Sequence, residues 1–302
     1  MPLSTTHLPR RRCVALAATT LALLGAAACA PEDAATPAPA PAASGGSGSA
    51  SPSCSKDSLP LTTPGTFTVG TDKPAYEPWF SDDDPTNGKG YESAVTYAVA
   101  EHLGFAKGDV RWITVPFTNA YAPGAKKFDV DVNQVSITEQ RRKAVDFSTG
   151  YYDVAQAVVT TKGSPLDGAT SLAALKKARL GAQVGTTSYT AITDQIQPVE
   201  KPRVYDTNDL AVQALKNGQI DGLVVDLPTA FYVAAAQLDD GTIVGQLPPG
   251  TGQGDQFGFV LAKGSGLTGC VSAAVDALRA DGTLATIEGQ YLSNAGGAPL
   301  LQ

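Results

Sequence analysis

The stretch VSITEQRRKAVDFSTGYYDVAQAVV, residues 135–159, decides the fold. Its two apolar runs have the pattern of strands, and three consecutive basic residues, 141–143, lie between them. A basic run of this kind is usually a solvated surface cluster. The strand before it, however, ends in polar residues, Ser136 and Thr138, and ligands of open α/β sheets bind at the carboxyl ends of strands. One of the basic residues is therefore a candidate ligand residue.

Strand and helix patterns alternate on both sides of this stretch. GTFTVGTD (65–72) reads as a strand, and GYESAVTYAVAEHLGF (90–105) has the apolar spacing of a helix that ends at a glycine. The order repeats in TNDLAVQALKNG (207–218) and QIDGLVVD (219–226). This alternation predicts an α/β protein with parallel sheets wrapped by helices, and 302 residues suggest two packed units.

The first 28 residues predict an export signal. Arginines 10–12 precede an apolar run that is too short for a typical membrane span. The run ends in LLGAAAC, which resembles the bacterial lipobox and predicts that Cys29 is lipidated. Plain secretory cleavage nearby is the alternative, and the choice between the Sec and twin-arginine routes stays open.

Residues 29–58 read as a flexible tether. They are rich in Pro and Ala and then in Gly and Ser, with too little apolar bulk to form a core. Two acyl chains on Cys29 anchor a protein firmly to a membrane. The expected location is the outer face of the cytoplasmic membrane.

The charge balance excludes nucleic acid as a partner. The chain has 29 acidic and 22 basic residues, and three of the basic ones fall in the export signal. Phosphate binding requires a basic surface instead. The two cysteines of the body, Cys54 and Cys270, predict a disulfide in an exported protein, with two unpaired buried thiols as the alternative.

Several chemistries are excluded by residue type. His102 is the body's one histidine, so neither a Ser–His–Asp or Cys–His triad nor an ordinary zinc site is expected. No GxxxxGK[ST] phosphate loop occurs. Three strand ends remain as the predicted site, with Asp72, with Ser136 and Thr138, and with Asp226.

The central stretch also resembles the signature of solute-binding proteins of polar amino-acid ABC importers, bacterial extracellular family 3. The resemblance is collinear over residues 59–293 and includes TFTVGTD, GKGYES, LGAQVGTTS and ALKNGQIDGLVVDLPTAFY. It implies a monomer with a two-lobe, type II periplasmic-binding-protein-like fold and two hinge segments. Lobe 1 is expected at 59–150 plus 258–302, lobe 2 at 156–252, and the hinge near 151–155 and 253–257.

The resemblance implies a clamp for an amino acid and no cofactor or metal. Arg141 matches the arginine that pairs with the ligand α-carboxylate, and Asp226 matches the acid that holds the α-ammonium. Ser136 and Thr138 match positions that contact the ligand at the same end. Thr186 and Thr187 match a turn whose backbone N–H groups cap the carboxylate, although N-capping of a helix is the simpler role.

Four further residues are expected around the ligand side chain. Asp72 matches a common side-chain contact, and Tyr76 and Phe117 resemble aromatic pocket walls, with ordinary core packing as the alternative. The strand FDVDVNQ is polar where the family strand is mostly apolar, so Gln134 either reaches the ligand or bonds within lobe 1. Asp72 and the acidic loop 82–84 favour a polar or basic ligand.

The main hypothesis is a lipid-anchored protein that captures an amino acid and delivers it to the permease of an ABC importer. A dehydratase acting on small carboxylates, as a few relatives are, is the alternative and needs Asp226 or Glu92 as an acid or base. A binding module that signals to a receptor is the third hypothesis.

Overall fold

The computed structural model describes residues 54–250, 255–293 and 297–302. The predicted export signal, Cys29 and the tether up to residue 53 lie outside the described residues. The fold of the described part is α/β and consists of two lobes, each built on a five-stranded sheet.

The sheet of lobe 1 has the strand order β2-β1-β3-β12-β4. β1 is parallel to β2 and to β3, and β12 is antiparallel to β3 and β4. Large apolar side chains pack against both faces, with Phe67 and Trp79 in one cluster and Phe128 and Phe147 in the other. Its strands are β1 (Phe67–Thr71), β2 (Val110–Thr114), β3 (Val130–Asp131), β4 (Val145–Phe147) and β12 (Val260–Ala262).

The sheet of lobe 2 has the order β10-β6-β9-β7-β8. β7 is parallel to β8 and β9, whereas β6 is antiparallel to β9 and β10. Its two faces carry separate cores, one with Leu223 and Val225 and the other with Leu180 and Val224. Its strands are β6 (Gln156–Thr161), β7 (Leu180–Gln183), β8 (Arg203–Tyr205), β9 (Gly222–Asp226) and β10 (Gly241–Gln246).

Both sheets are mixed: four of the five strands in each sheet run in one direction, as expected for a mostly parallel sheet, and the fifth, β12 in lobe 1 and β6 in lobe 2, runs against them. β6 is the first strand after the chain crosses to lobe 2, and β12 is the first sheet strand after it returns. Each runs against its neighbours because the chain enters the lobe from the cleft end. Strands buried on both faces read as continuous apolar runs in either direction, so the residue pattern does not reveal their orientation.

The helices wrap the two sheets. Their bounds are α1 (Tyr91–His102), α2 (Phe117–Ala120), α3 (Glu139–Arg142), α4 (Leu172–Leu175), α5 (Thr187–Ala191), α6 (Asn208–Lys216), α7 (Leu227–Tyr232), α8 (Thr268–Ala280) and α9 (Thr283–Tyr291). α1 begins after Gly90, whose φ is 88° and where a Cβ would come within 2.5 Å of the Phe80 Cα. Only glycine fits this combination of backbone angle and close approach.

The chain segments between the lobes pair with each other. Strand β5 (Tyr152–Asp153) is antiparallel to β11 (Gln256–Phe257), and these two strands fall within the predicted hinge ranges 151–155 and 253–257. Residues 253 and 254 lie outside the described part. The pairing makes the two crossings a single short ribbon.

The last residues correct one expected boundary. Residues 297–302 were expected in lobe 1 as part of 258–302, but they pack on lobe 2. Leu300 forms a bridge with Gln246, and Leu301 lies in the lobe 2 core. The backbone oxygen of Gln302 accepts the Leu172 N–H at 2.7 Å. These residues add apolar and backbone contacts that a loose C-terminal tail lacks.

The predicted tether also ends earlier than residue 58. In the structure Cys54 and Cys270 form a disulfide, with Cys270 buried on α8. Lys56 lies in a short 3-10 helix and pairs with Asp109 at 2.6 Å. Residues 54–58 are therefore part of the folded lobe 1. Within the described ranges, each helix is too short or too polar to cross a membrane.

Candidate functional site

A cavity lies between the lobes, where the carboxyl ends of β1, β3, β7 and β9 meet. Binding sites of open α/β sheets occupy this position. Nine of the ten predicted ligand residues line it, together with four that were not predicted. The lining residues are Asp72, Tyr76, Phe117, Asn133, Gln134, Ser136, Arg141, Gln183, Thr186, Thr187, Ser188, Asn208 and Asp226.

The cavity is narrow in this conformation. Water-sized atoms can occupy about 30 Å³ of it, which is the space of only a few solvent molecules. A larger occupant therefore needs the two lobes to move apart, and the β5–β11 ribbon connects them at the point where a hinge would act.

Arg141 is 7% exposed and extends from lobe 1 toward lobe 2. Its Nη1 donates to the Ser136 backbone oxygen at 2.7 Å, and its Nη2 donates to the Gly185 oxygen at 2.9 Å. Its guanidinium stacks over the Tyr121 ring at 4.4 Å. The head group is thus held in one orientation at the wall of the cavity, whereas Arg142 is exposed.

Thr138 is the one predicted ligand residue that does not line this cavity. Its Oγ1 accepts the Arg141 backbone N–H at 3.1 Å and thereby caps α3. It lies instead in a wider cleft on the far side of Arg141. The hydroxyl is used to begin the helix that carries Arg141, and a direct contact between Thr138 and a ligand stays a prediction.

Asp226 faces Arg141 from lobe 2, at the end of β9. Its Oδ1 accepts Gln156 Nε2 at 2.6 Å, and the Gln156 Oε1 accepts the Ser188 hydroxyl at 2.6 Å. Burial raises the pKa of Asp226 to about 7; nearby Asp255 raises it further, while the Gln156 hydrogen bond and Arg141 lower it. The carboxylate is therefore poised to lose its proton when a cation approaches.

The N-terminus of α5 forms the facing wall. Thr186 caps the helix by accepting the Tyr189 N–H, as the simpler interpretation of the sequence predicted. Thr187, the next residue, has its hydroxyl 3.1 Å from the Ser136 hydroxyl of lobe 1. Both threonines line the cavity, so the capping role and the cavity position coincide.

Asp72 and the aromatic walls are also in place. Asp72 Oδ2 accepts the Phe117 backbone N–H at 3.1 Å, so the carboxylate fixes the start of α2. The Tyr76 hydroxyl is buried, and burial raises its pKa. Trp79 lies outside the lining and spans the lobes by donating to the Thr229 hydroxyl at 2.9 Å.

Gln134 joins the cavity to a buried network in lobe 1. Its backbone N–H donates to Glu92 Oε1 at 2.7 Å and its side-chain amide donates to Glu92 Oε2. Tyr151, in the first crossing segment, donates its hydroxyl to the same carboxylate. Burial raises the pKa of Glu92 to about 7, although the Tyr151 and Gln134 hydrogen bonds lower it. Gln134 therefore lines the cavity and bonds within lobe 1.

Four lining residues were missed. Ser188 follows Thr187 in the turn GTTSYT, and Gln183 ends the strand LGAQ, so both carried the strand-end signal. Asn133 shares the polar strand with Gln134. Asn208 is the first residue of α6, and nothing in its local pattern marks it.

The acidic loop 82–84 does not line the cavity. Asp83 pairs with Lys73 at 2.6 Å, and Asp84 accepts the Thr86 N–H at 2.9 Å. These carboxylates stabilise their own loop. In the described part of the chain, no group of three His, Cys, Asp or Glu side chains is arranged to hold a metal ion.

Comparison with known proteins gives consistent matches. Residues 67–294 match the family described as bacterial extracellular solute-binding proteins, family 3. The L-arginine-binding protein of Pseudomonas aeruginosa is 28% identical over 250 residues, 78% of this chain and 94% of that protein. The L-cystine-binding protein TcyJ of Escherichia coli K12 is 27% identical over 231 residues, 75% of this chain and 82% of that protein.

A solved structure shows the same fold. It is an ancestral arginine-binding protein bound to glutamine, with a TM-score of 0.62 and 30% sequence identity. The alignment covers 76% of this chain and 99% of that one. These relatives are binding proteins by name, and their ligands differ in side-chain charge.

Proposed function

The chain belongs to the bacterial extracellular solute-binding proteins of family 3, and on that premise we propose that it captures a free amino acid between its lobes. The captured ligand is delivered to the permease of an ABC importer. Capture requires no bond making, so the buried acids serve to hold charge rather than to catalyse.

The observation that carries the proposal is the pair Arg141 and Asp226. They line one cavity from opposite lobes. A guanidinium donates two parallel hydrogen bonds to a carboxylate, and a carboxylate accepts from an ammonium. An α-amino acid has both groups on one carbon, so it contacts both lobes at once. Its binding energy therefore favours the closed form.

The acids of the cavity favour a polar or basic ligand side chain. Asp72 and Asp226 both line it, against Arg141 as the one basic lining residue among those described. With Arg141 on the α-carboxylate, no lining cation remains for an acidic side chain. The Asp72 carboxylate and the Asn133 amide remain for a donor.

Export and membrane anchoring complete the proposal. The export signal and the LLGAAAC sequence support lipidation of Cys29, and residues 30–53 would then serve as the spacer. The Cys29→Ser variant would then appear in the culture medium instead of the membrane fraction, while the unchanged protein sediments with membranes. Membrane retention of this variant would contradict lipidation at Cys29.

A thermal-shift screen against the twenty amino acids tests the proposed function. A ligand at 100 times its dissociation constant stabilises the folded protein by about 2.7 kcal/mol, which raises the melting temperature measurably. One or a few polar or basic amino acids should give this shift. Agmatine lacks the α-carboxylate and N-acetylarginine lacks the free α-ammonium, so neither compound should raise the melting temperature. The absence of a shift with every amino acid would contradict the proposal.

A further inference from the structure

Asp131 is a buried carboxylate that lacks a partner. The residue is 0% exposed, and neither carboxylate oxygen makes a hydrogen bond to a described residue. Its side chain lies over Gly70, because a Cβ there would come within 2.5 Å of Asp131 Oδ2. The same point is 2.9 Å from a Val115 methyl and 3.2 Å from the Phe128 ring. Burying an unpaired carboxylate among apolar groups is costly, so its presence calls for a compensating cation or proton.

The sheet register places Asp131 next to residues that line the cavity. β1 and β3 are parallel, and Gly70 pairs with Asp131. Asp72 and Asn133, two residues further along each chain and just beyond the ends of these strands, both line the cavity. Asp131 does not line the cavity itself, and Asp72 is close enough to raise the pKa of its carboxyl.

A polar group near Asp131 also lacks a partner. The Asn133 side-chain amide nitrogen is buried and makes no hydrogen bond to a described residue. Buried polar groups without hydrogen bonds are unusual in a folded protein, and each calls for an explanation such as a functional role or a bound ion.

The charges that face Asp131 are mostly negative. Glu92 and Asp72 raise the pKa of its carboxyl, after burial as the main cause, and Lys126 lowers it. Lys126 does not pair with Asp131, since its ammonium donates to the backbone oxygens of Asn119 and Ala122. The surroundings of Asp131 therefore contain more acidic than basic groups, and no described cation contacts the Asp131 carboxyl.

We propose that Asp131 determines specificity for a ligand whose side chain ends in a cation. An ammonium or guanidinium group donates to the Asp72 carboxylate, and the nearby Asp131 stabilises it electrostatically. The inference rests on the proposed function and specifies that the side chain of the captured amino acid is positively charged. Without the cation the carboxyl keeps its proton, and on binding the proton passes to solvent and leaves a carboxylate.

The test compares ligand pairs that differ mainly in side-chain charge. Calorimetric titration of the purified protein with arginine and citrulline, and with lysine and norleucine, measures the preference for the charged member. The Asp131→Asn substitution should lower the affinity for the charged ligand of each pair by about tenfold and leave the affinity for the neutral ligand unchanged. Asp221→Asn is the matched control, because Asp221 is a buried acid of lobe 2 that pairs with Arg179. That variant should lose stability without a change in preference.

Proton release provides a second readout that needs only the unchanged protein. Titrations in buffers of different ionisation enthalpy should show more protons released with arginine than with citrulline. Equal release, or an unchanged preference in a folded Asp131→Asn variant, would overturn the role of Asp131 while leaving amino-acid capture intact. Binding of none of the four ligands would overturn the cationic specificity, and failure of all twenty amino acids would overturn the proposed function with it.

Discussion

Arg141 of lobe 1 donates a hydrogen bond from its Nη2 to the backbone oxygen of Gly185 in lobe 2, at 2.9 Å. The guanidinium therefore already spans the gap between the lobes. Its Nη1 is held by the Ser136 backbone oxygen, and the Tyr121 ring covers one face. The surrounding residues fix the direction in which the head group presents its charge.

The first prediction concerns this arginine. Arg141→Ala should weaken amino-acid binding by at least about thirtyfold, since truncating one member of a desolvated charged pair costs about 2–5 kcal/mol. Calorimetric titration measures the change. Arg142→Ala is the control, because Arg142 is exposed on the same helix. Equal effects of the two substitutions would contradict the assignment of Arg141 as the carboxylate ligand.

The second prediction concerns the pH dependence of binding. Burial raises the pKa of Asp226 to about 7, and pairing with an ammonium requires the ionised form. Amino-acid affinity should therefore rise with pH and level off above 7, with a change of about tenfold per pH unit below the pKa. Titrations between pH 5 and 8.5 measure it.

Substitution separates Asp226 from other titrating groups. Asp226→Asn should bind weakly at every pH, while Asp239→Asn, an exposed acid of the same lobe, should keep the normal profile. A profile that is flat in the unchanged protein would show that Asp226 is already ionised before binding.

The third prediction concerns the stability contributed by Glu92. Burial raises its folded-state pKa to about 7 from the usual 4.5, so the folded state binds the extra proton between these values. Its contribution to stability is present below pH 4.5 and is lost as the pH rises through 7. Between pH 4.5 and 8, the free energy of unfolding of the Glu92→Gln variant should rise by on the order of 3 kcal/mol relative to that of the unchanged protein.

Urea unfolding at several pH values measures this difference. Glu101→Gln, on the exposed side of the same helix, is the control and should run parallel to the unchanged protein. A Glu92→Gln curve with the same pH dependence as the control would contradict the raised pKa.

The fourth prediction concerns Cys54 and Cys270. The structure joins them across 216 residues, and a crosslink over a long loop removes conformational freedom from the unfolded chain. Reduction should add two hydrogens to the mass, and Cys54→Ser/Cys270→Ser should lower the free energy of unfolding by about 2–5 kcal/mol. Two reactive thiols in the purified protein before reduction would contradict the bond.

The sequence predicted best the helices that have a regular apolar spacing and a recognisable capping residue or terminal glycine. α1 has its apolar face buried from Tyr91 to Val99 and is followed by Gly104 at φ 87°. α6 begins after Thr207, which caps it by accepting the Leu210 N–H. In these cases the local chemistry and the tertiary packing favour the same conformation.

The polar residues at strand ends predicted most of the residues that line the cavity, but not the buried Asp131 behind them. Asp72 and Asp226 follow strands whose ends converge, which the order of elements predicts. Asn208 and Asp131 depend on how the strands and helices are placed in three dimensions. Thr138 could not be separated from Ser136 by pattern, because both are hydroxyl residues at one strand end and only the backbone geometry shows which of them caps α3.

The direction of the strands and the fate of the C-terminus also depended on tertiary structure. β6 and β12 are apolar enough to run either way in a buried sheet, and the contacts with β9 and β3 decide their orientation. Residues 297–302 carry no strand signal, yet Leu301 completes the core of lobe 2. The local sequence pattern does not predict long-range packing contacts of this kind.

The most direct test of the two-lobe clamp is calorimetric titration of the purified protein with its best amino acid and with the two derivatives that lack one α-group. The account predicts binding of the intact amino acid and about a hundredfold or greater loss for both the descarboxy and the N-acetyl form, consistent with two desolvated charge contacts. Binding of either derivative with undiminished affinity would contradict the assignment of Arg141 and Asp226 as the two halves of the clamp.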